Sequence, residues 1–136
     1  MRTLDFLVGE KVVEIRYGLE LRIVFRAGER VEPALYADIG RSSLGRTDGT
    51  DEGIDPSDPP TVAPVLLLVG RTVGSASVGE DASLQIAFSD GFRLRCDAAE
   101  THEAWQVVGG SPQHLVVAVG PGDVAVFGES EPRSFG

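Results

Sequence analysis

In "LELRIVFR", residues 19–26, the apolar side chains Leu19, Leu21, Ile23 and Phe25 alternate with Glu20, Arg22, Val24 and Arg26. A period of two marks a strand with one buried face, because successive side chains of an extended chain point to opposite sides. Residues 82–89 repeat the pattern, with Ala82, Leu84, Ile86 and Phe88 set against Ser83, Gln85, Ala87 and Ser89. After "SDG" the alternation resumes, with Phe92, Leu94 and Cys96 against Arg93, Arg95 and Asp97.

Sidedness fixes the register of the last two strands. A two-residue Asp90-Gly91 loop pairs Ile86 with Arg95 and brings a charge onto the apolar face. A three-residue loop, Ser89-Asp90-Gly91, instead pairs Phe88 with Phe92, Ile86 with Leu94 and Leu84 with Cys96. Such loops end on a left-handed residue, where glycine fits best. The same reasoning for Arg26-Ala27-Gly28 pairs Ile23 with Val31 and predicts positive φ at both Gly28 and Gly91.

These strands belong to a longer duplication, residues 7–32 and 68–96. Leu7-Val8-Gly9 matches Leu68-Val69-Gly70, and Val12 matches Val73. Leu21, Ile23, Phe25, Gly28, Arg30 and Val31 match Leu84, Ile86, Phe88, Gly91, Arg93 and Leu94, after a two-residue slip near "VGED". Two copies are too few for an open solenoid and predict halves that pack on each other. "KVVEIRY" and "RTVGSASV" supply a further strand, so each unit reads as a three-stranded meander. "LDFLVG" and "VAPVLLLVG" fit short helical turns or strands equally well, which leaves residues 64–69 open.

Residues 40–62 are dense in Gly, Asp, Ser and Pro, which predicts an acidic flexible linker. "VEPALYADI" before it reads as a short edge strand, given Pro33. Apolar stretches at 104–108, 115–119 and 124–127, separated by "GGSPQ" and "GPGD", predict a C-terminal meander over 103–128. The tail, 129–136, is expected to be disordered. The fold class is all-β in a single domain over 1–136. It is a sandwich or semi-closed barrel of two pseudo-repeated three-stranded meanders plus a C-terminal meander.

Composition is that of a globular chain, 42% apolar and 24% charged. The apolar run Val65–Val69 falls far short of a bilayer span, and acidic Asp5 interrupts the N-terminal apolar stretch. The expectation is a soluble, cytoplasmic protein that contacts no membrane. The formal charge is −9. Its excess lies in residues 41–60, with two basic and five acidic side chains, and in 97–136, with one and six. Such a surface repels nucleic acid and steers toward a basic protein partner.

Candidate chemistry is sparse. Cys96, the single cysteine, points inward in the strand pattern and behaves as a small hydrophobe. His102 and His114, with Asp97, Glu100 or Glu103, have no metal-ligand spacing. Asp48, Asp51, Glu52, Asp55 and Asp58 do not follow a calcium-loop pattern. No phosphate-loop or nucleophile-elbow motif occurs. No catalytic, cofactor-binding or metal residue is assigned, and no cofactor is expected. Trp105 is either a core plug or an aromatic anchor for a partner.

The stretch Gly70 to Val73, the Ser89-Asp90-Gly91 turn and Glu103-Ala104-Trp105 resemble a family of small uncharacterised actinobacterial proteins. Those proteins pair two G-R-x-V…L-x-L-x-F-x-D-G units with a late EAW strand and a glycine-rich hairpin. This chain departs at His102, where an aromatic is usual, and in "GEKV" and "RAG" of its first unit. The resemblance implies a domain of unknown function. The resulting expectation is a non-enzymatic protein-binding module, in its specific form an immunity-type inhibitor of a basic toxin. Trp105, Glu100, Glu103, Asp123 and Glu129 would form its contact surface. The alternative is a structural or assembly protein, such as a homodimer through a sheet edge; a small-molecule binder or enzyme comes third.

Overall fold

The computed structural model describes residues 2–28, 34–98 and 104–109, together with three later strands, His114–Val119, Asp123–Phe127 and Pro132–Phe135. In chain order the strands are β1 (Arg2–Thr3), β2 (Glu14–Tyr17), β3 (Leu21–Arg26), β4 (Leu35–Ile39), β5 (Ser42–Gly45) and β6 (Asp51–Ile54). They continue as β7 (Val73–Val78), β8 (Leu84–Phe88), β9 (Arg93–Cys96), β10 (Trp105–Gly109), β11 (His114–Val119), β12 (Asp123–Phe127) and β13 (Pro132–Phe135). One sheet has the order β1-β7-β8-β9-β5-β6, and the other β13-β12-β11-β10-β4-β3-β2. The protein is an all-β sandwich of two antiparallel sheets, with its core between them.

The alternation read from the sequence is the sidedness of these sheets except at two positions of the first copy: Leu19, expected inward, lies exposed before β3 begins, and Val24, expected outward, is buried. Leu21, Ile23 and Phe25 of β3, Leu84, Ile86 and Phe88 of β8, and Leu94 and Cys96 of β9 are all buried. β8 and β9 pair Ile86 with Leu94 and Leu84 with Cys96, and the Phe88 amide donates to the Phe92 carbonyl. Gly28 and Gly91 have φ of +84° and +101°. The two ambiguous segments form 3-10 helices, Asp5–Leu7 and Ala63–Leu68, which bury Leu7, Val65 and Leu68.

The two halves do pack on each other, and they do so reciprocally. Gly9 N donates to Val73 O (2.9 Å) and Gly70 N to Val12 O (2.7 Å). Val12 N donates to Arg71 O (2.9 Å) and Val73 N to Glu10 O (2.8 Å). Because residues 9, 10 and 12 correspond to 70, 71 and 73, each bond has its mirror in the other repeat. They surround a bridge between Lys11 and Thr72. Glu10 also pairs with Arg26 at 2.7 Å, and Arg71 with Asp90 at 2.5 Å, with the signs exchanged between the halves.

Four expectations are corrected. Ile23 pairs with Ala37 of β4, not with Val31, which lies outside the described residues. "VEPALYADI" is no edge strand, since β4 lies between β3 and β10. The segment taken as a flexible linker over 40–62 contains β5, β6 and a 3-10 helix, Pro59–Thr61. One inward residue anchors each strand, Leu44 opposite Leu94 in β5 and Ile54 in β6, so the segment looks polar while being built into the sheet. The tail, expected to be disordered, contains a strand, since Pro132–Phe135 pairs with β12.

Each meander also hands its next strands to the opposite sheet. β5 leaves the first unit to pair with β9, and β10 leaves the second to pair with β4. The two corners cross where the Gly40 amide donates to the Ala104 carbonyl at 2.9 Å.

Candidate functional site

The outer faces of the two sheets carry corresponding rows of side chains with opposite outcomes. In the seven-stranded sheet the row Arg22–Asp38–Gln106 is closed on itself. Arg22 Nε lies 2.7 Å from Asp38 Oδ1 and Nη2 3.1 Å from Oδ2, and Gln106 Nε2 donates to Oδ2 at 2.8 Å. Arg22 also bonds Glu20 at 2.8 Å and stacks 3.9 Å above the Tyr36 ring. The Asp38 hydrogen bond raises the guanidinium pKa further. Here all the charge is spent internally.

The matching row of the six-stranded sheet, Ser77–Gln85–Arg95–Ser43, is built differently. Arg95 is drawn sideways, onto Asp81 at 2.8 Å and Asp97 at 2.9 Å. The Ser83 hydroxyl and amide hold Asp81 below the usual carboxylate range, with Arg95 adding to them. The next row carries Ala87, Arg93 and Gly45 in register, with Asp51 opposite Gly45. Because Ser43, Gly45, Ser75, Ser77 and Ala87 are small, this face holds a cleft of about 340 Å³. Arg93 and Asp51 both line it, and neither side chain has an ion pair or hydrogen bond among the described residues.

The five residues expected to form a contact surface fare unevenly. Trp105 is 2% exposed, sits opposite Ile39, and donates its indole N–H to the Ala82 carbonyl at 2.9 Å. It is the core plug; as a surface anchor it is corrected, because its ring faces inward on β10. Glu100, Glu103 and Glu129 lie outside the described residues, and Asp123 opens β12 opposite Val119. His102 lies outside them too, and His114 opens β11.

Cys96 is fully buried as read, and burial pushes its thiol pKa up to about 11. Among the described residues no group of three His, Cys, Asp or Glu side chains could hold a metal.

The acidic segment is an ordered hairpin. Arg46 N donates to Thr50 O at 2.7 Å, and Asp48 Oδ1 accepts both the Thr50 hydroxyl and amide. Those bonds, the hydroxyl's first, hold Asp48 below the usual carboxylate range, and Ser57 does the same for Asp55. Arg41 and Arg46 pair with Asp55 (3.5 Å) and Glu52 (2.8 Å).

Sequence reading missed the cleft because its walls come from five strands, β5 to β9. The available signal was the run of small outward residues in "GSAS" and "SSLG" facing outward arginines, once the strand order is known.

A family model for proteins of unknown function, DUF6188, matches residues 3–128. The chain belongs to that family. The DUF6188 match spans both repeats, the β5–β6 hairpin and the strands through β12. Comparison with curated proteins and with solved structures finds no match. Among the described residues no helix is long and apolar enough to cross a membrane.

Proposed function

We propose that this DUF6188 protein is a non-enzymatic protein-binding module that takes a basic protein partner. Its specific form is an immunity-type inhibitor of a basic toxin, acting in the actinobacterial cytoplasm. The observation that carries this reading is the β5–β6 hairpin. β6 ends its sheet, so the outer side of its backbone has no strand partner among the described residues. Edge strands with free N–H and C=O groups accept a further strand from another chain. Asp48 and Asp58 stand exposed on either side of β6, so a basic segment is both attracted and given a ladder.

The test is complex formation with the product of the adjacent gene, measured by calorimetry and stopped-flow. Tight association that slows with salt, and slows again in Asp48→Lys/Asp58→Lys, supports the reading. No complex, or one indifferent to salt and to both substitutions, rejects it.

Self-assembly is the second reading, supported by exposed apolar side chains on two segments that adjoin. Val13, Leu66 and Val69 are 51%, 60% and 45% exposed, and the Gly70–Val12 hydrogen bond joins their segments. Light scattering decides it: a dimer that Leu66→Glu dissociates supports assembly, and a monomer at high concentration removes it.

A further inference from the structure

We infer that the cleft on the outer face of the six-stranded sheet binds a small zwitterion, an α-amino acid or a molecule with the same adjacent carboxylate and ammonium. The inference does not rest on the proposed protein-binding role.

Two opposite charges meet there without pairing. Asp51 and Arg93 close over the bare backbone of Gly45, where a Cβ would lie 2.9 Å from Asp51 Oδ1 and 3.4 Å from Arg93 Nε. Yet they stay farther apart than the 4.0 Å of an ion pair, and neither has another partner among the described residues. The equivalent face of the other sheet shows the closed alternative, in which Arg22 locks onto Asp38. An open pair of this kind selects by charge. A simple anion meets Arg93 but is repelled by Asp51, and a simple cation meets the reverse. A ligand with both charges on neighbouring atoms satisfies each side chain at once, its carboxylate on the Arg93 fork and its ammonium on Asp51.

The remaining walls fit such a guest. Ser43, Ser75 and Ser77 offer hydroxyls that donate or accept, and Gly45 and Ala87 leave the floor low. Arg95 forms one wall but is occupied by Asp81 and Asp97. The volume, about 340 Å³, is that of a small-ligand site. Among the described residues no aromatic side chain lines the cleft for a sugar ring or base to stack on.

The test is an amide-shift NMR titration with glycine, alanine, glutamate and lysine, run beside acetate, methylamine and N-acetylalanine. At least one free amino acid should shift the Gly45, Ala87 and Arg93 amides. Acetate, methylamine and N-acetylalanine should bind about tenfold more weakly or worse, each lacking one charge-assisted contact. Arg93→Gln and Asp51→Asn, both at exposed positions and checked for a native spectrum, should each weaken binding about tenfold. Saturation by acetate alone, binding unchanged in both variants, or no shift with any amino acid overturns the inference. Asp48→Lys/Asp58→Lys, which disables the proposed partner surface, should leave amino-acid binding intact, so the two readings fail separately.

Discussion

Arg22 and Asp38 face each other across β3 and β4 at 2.7 Å, with the carboxylate side chain only 8% exposed and the guanidinium 24%. The pair is neither a solvated surface bridge nor a fully buried one. Gln106, from a third strand, takes a remaining lone pair of the carboxylate.

Removing one partner should therefore cost more than removing both. Arg22→Leu leaves a nearly buried carboxylate held by Gln106 alone, and should destabilise by about 2–3 kcal/mol, below the range for fully buried pairs. Arg22→Leu/Asp38→Leu should recover most of that loss. Urea unfolding of the two variants checks the order, and equal losses would count against desolvation as the cause.

Trp105 offers an optical check, being the single tryptophan. Its native emission should be blue-shifted from that of the unfolded chain and resist iodide quenching. Trp105→Phe keeps an aromatic ring but leaves a void where the indole was and strands the Ala82 carbonyl, at a cost of about 2–3 kcal/mol. Emission quenched as readily as free indole would show that the ring is not enclosed.

Cys96 gives a pH dependence of definite sign. Its folded pKa of about 11 lies above the ordinary 9.0, so folding favours the protonated thiol. That contribution is complete below pH 9 and is lost as pH rises toward 11, while the unfolded thiol ionises and the folded one does not. The loss is about 3 kcal/mol over the window. Stability curves of the protein and of Cys96→Ala should diverge in slope only above pH 9, and parallel curves would refute the shift. Thiol reagents should label Cys96 only on unfolding.

Gly40 should tolerate no side chain. A Cβ there would sit 2.9 Å from the Ala104 carbonyl, at the crossing of two corners that cannot move independently. Gly40→Ala should cost about 2–3 kcal/mol. Gly53 on β6 has open space around it, and Gly53→Ala should be neutral or stabilise by up to about 1 kcal/mol. Melting temperatures compare the two directly.

What the sequence disclosed followed from local rules. The β8–β9 register was legible because alternation and a turn glycine constrain the same few residues. The first unit breaks that reasoning: Gly28 has the left-handed φ, yet β3 pairs with Leu35–Ile39 and sets Arg26 opposite Leu35. Pro33 makes "VEPALYADI" look peripheral, and only Arg22 and Gln106, brought in from other strands, explain the Asp38 carboxylate at the middle of a sheet. The cleft was illegible for a similar reason. Arg93 and Asp51 are strong signals only once β5 is known to lie between their strands.

The exchange of strands between halves bears on how the chain is made. Gln106 and Asp38 stand 68 positions apart, so the pairings that complete both sheets close late, after the local meanders. During synthesis β4 and β5 emerge long before β10 and β9 arrive, and wait with their edges open. A first half released alone has one source for the strands it lacks, a second copy of itself. The duplication thus holds within one polypeptide an exchange that separate half-length chains would have to make by colliding.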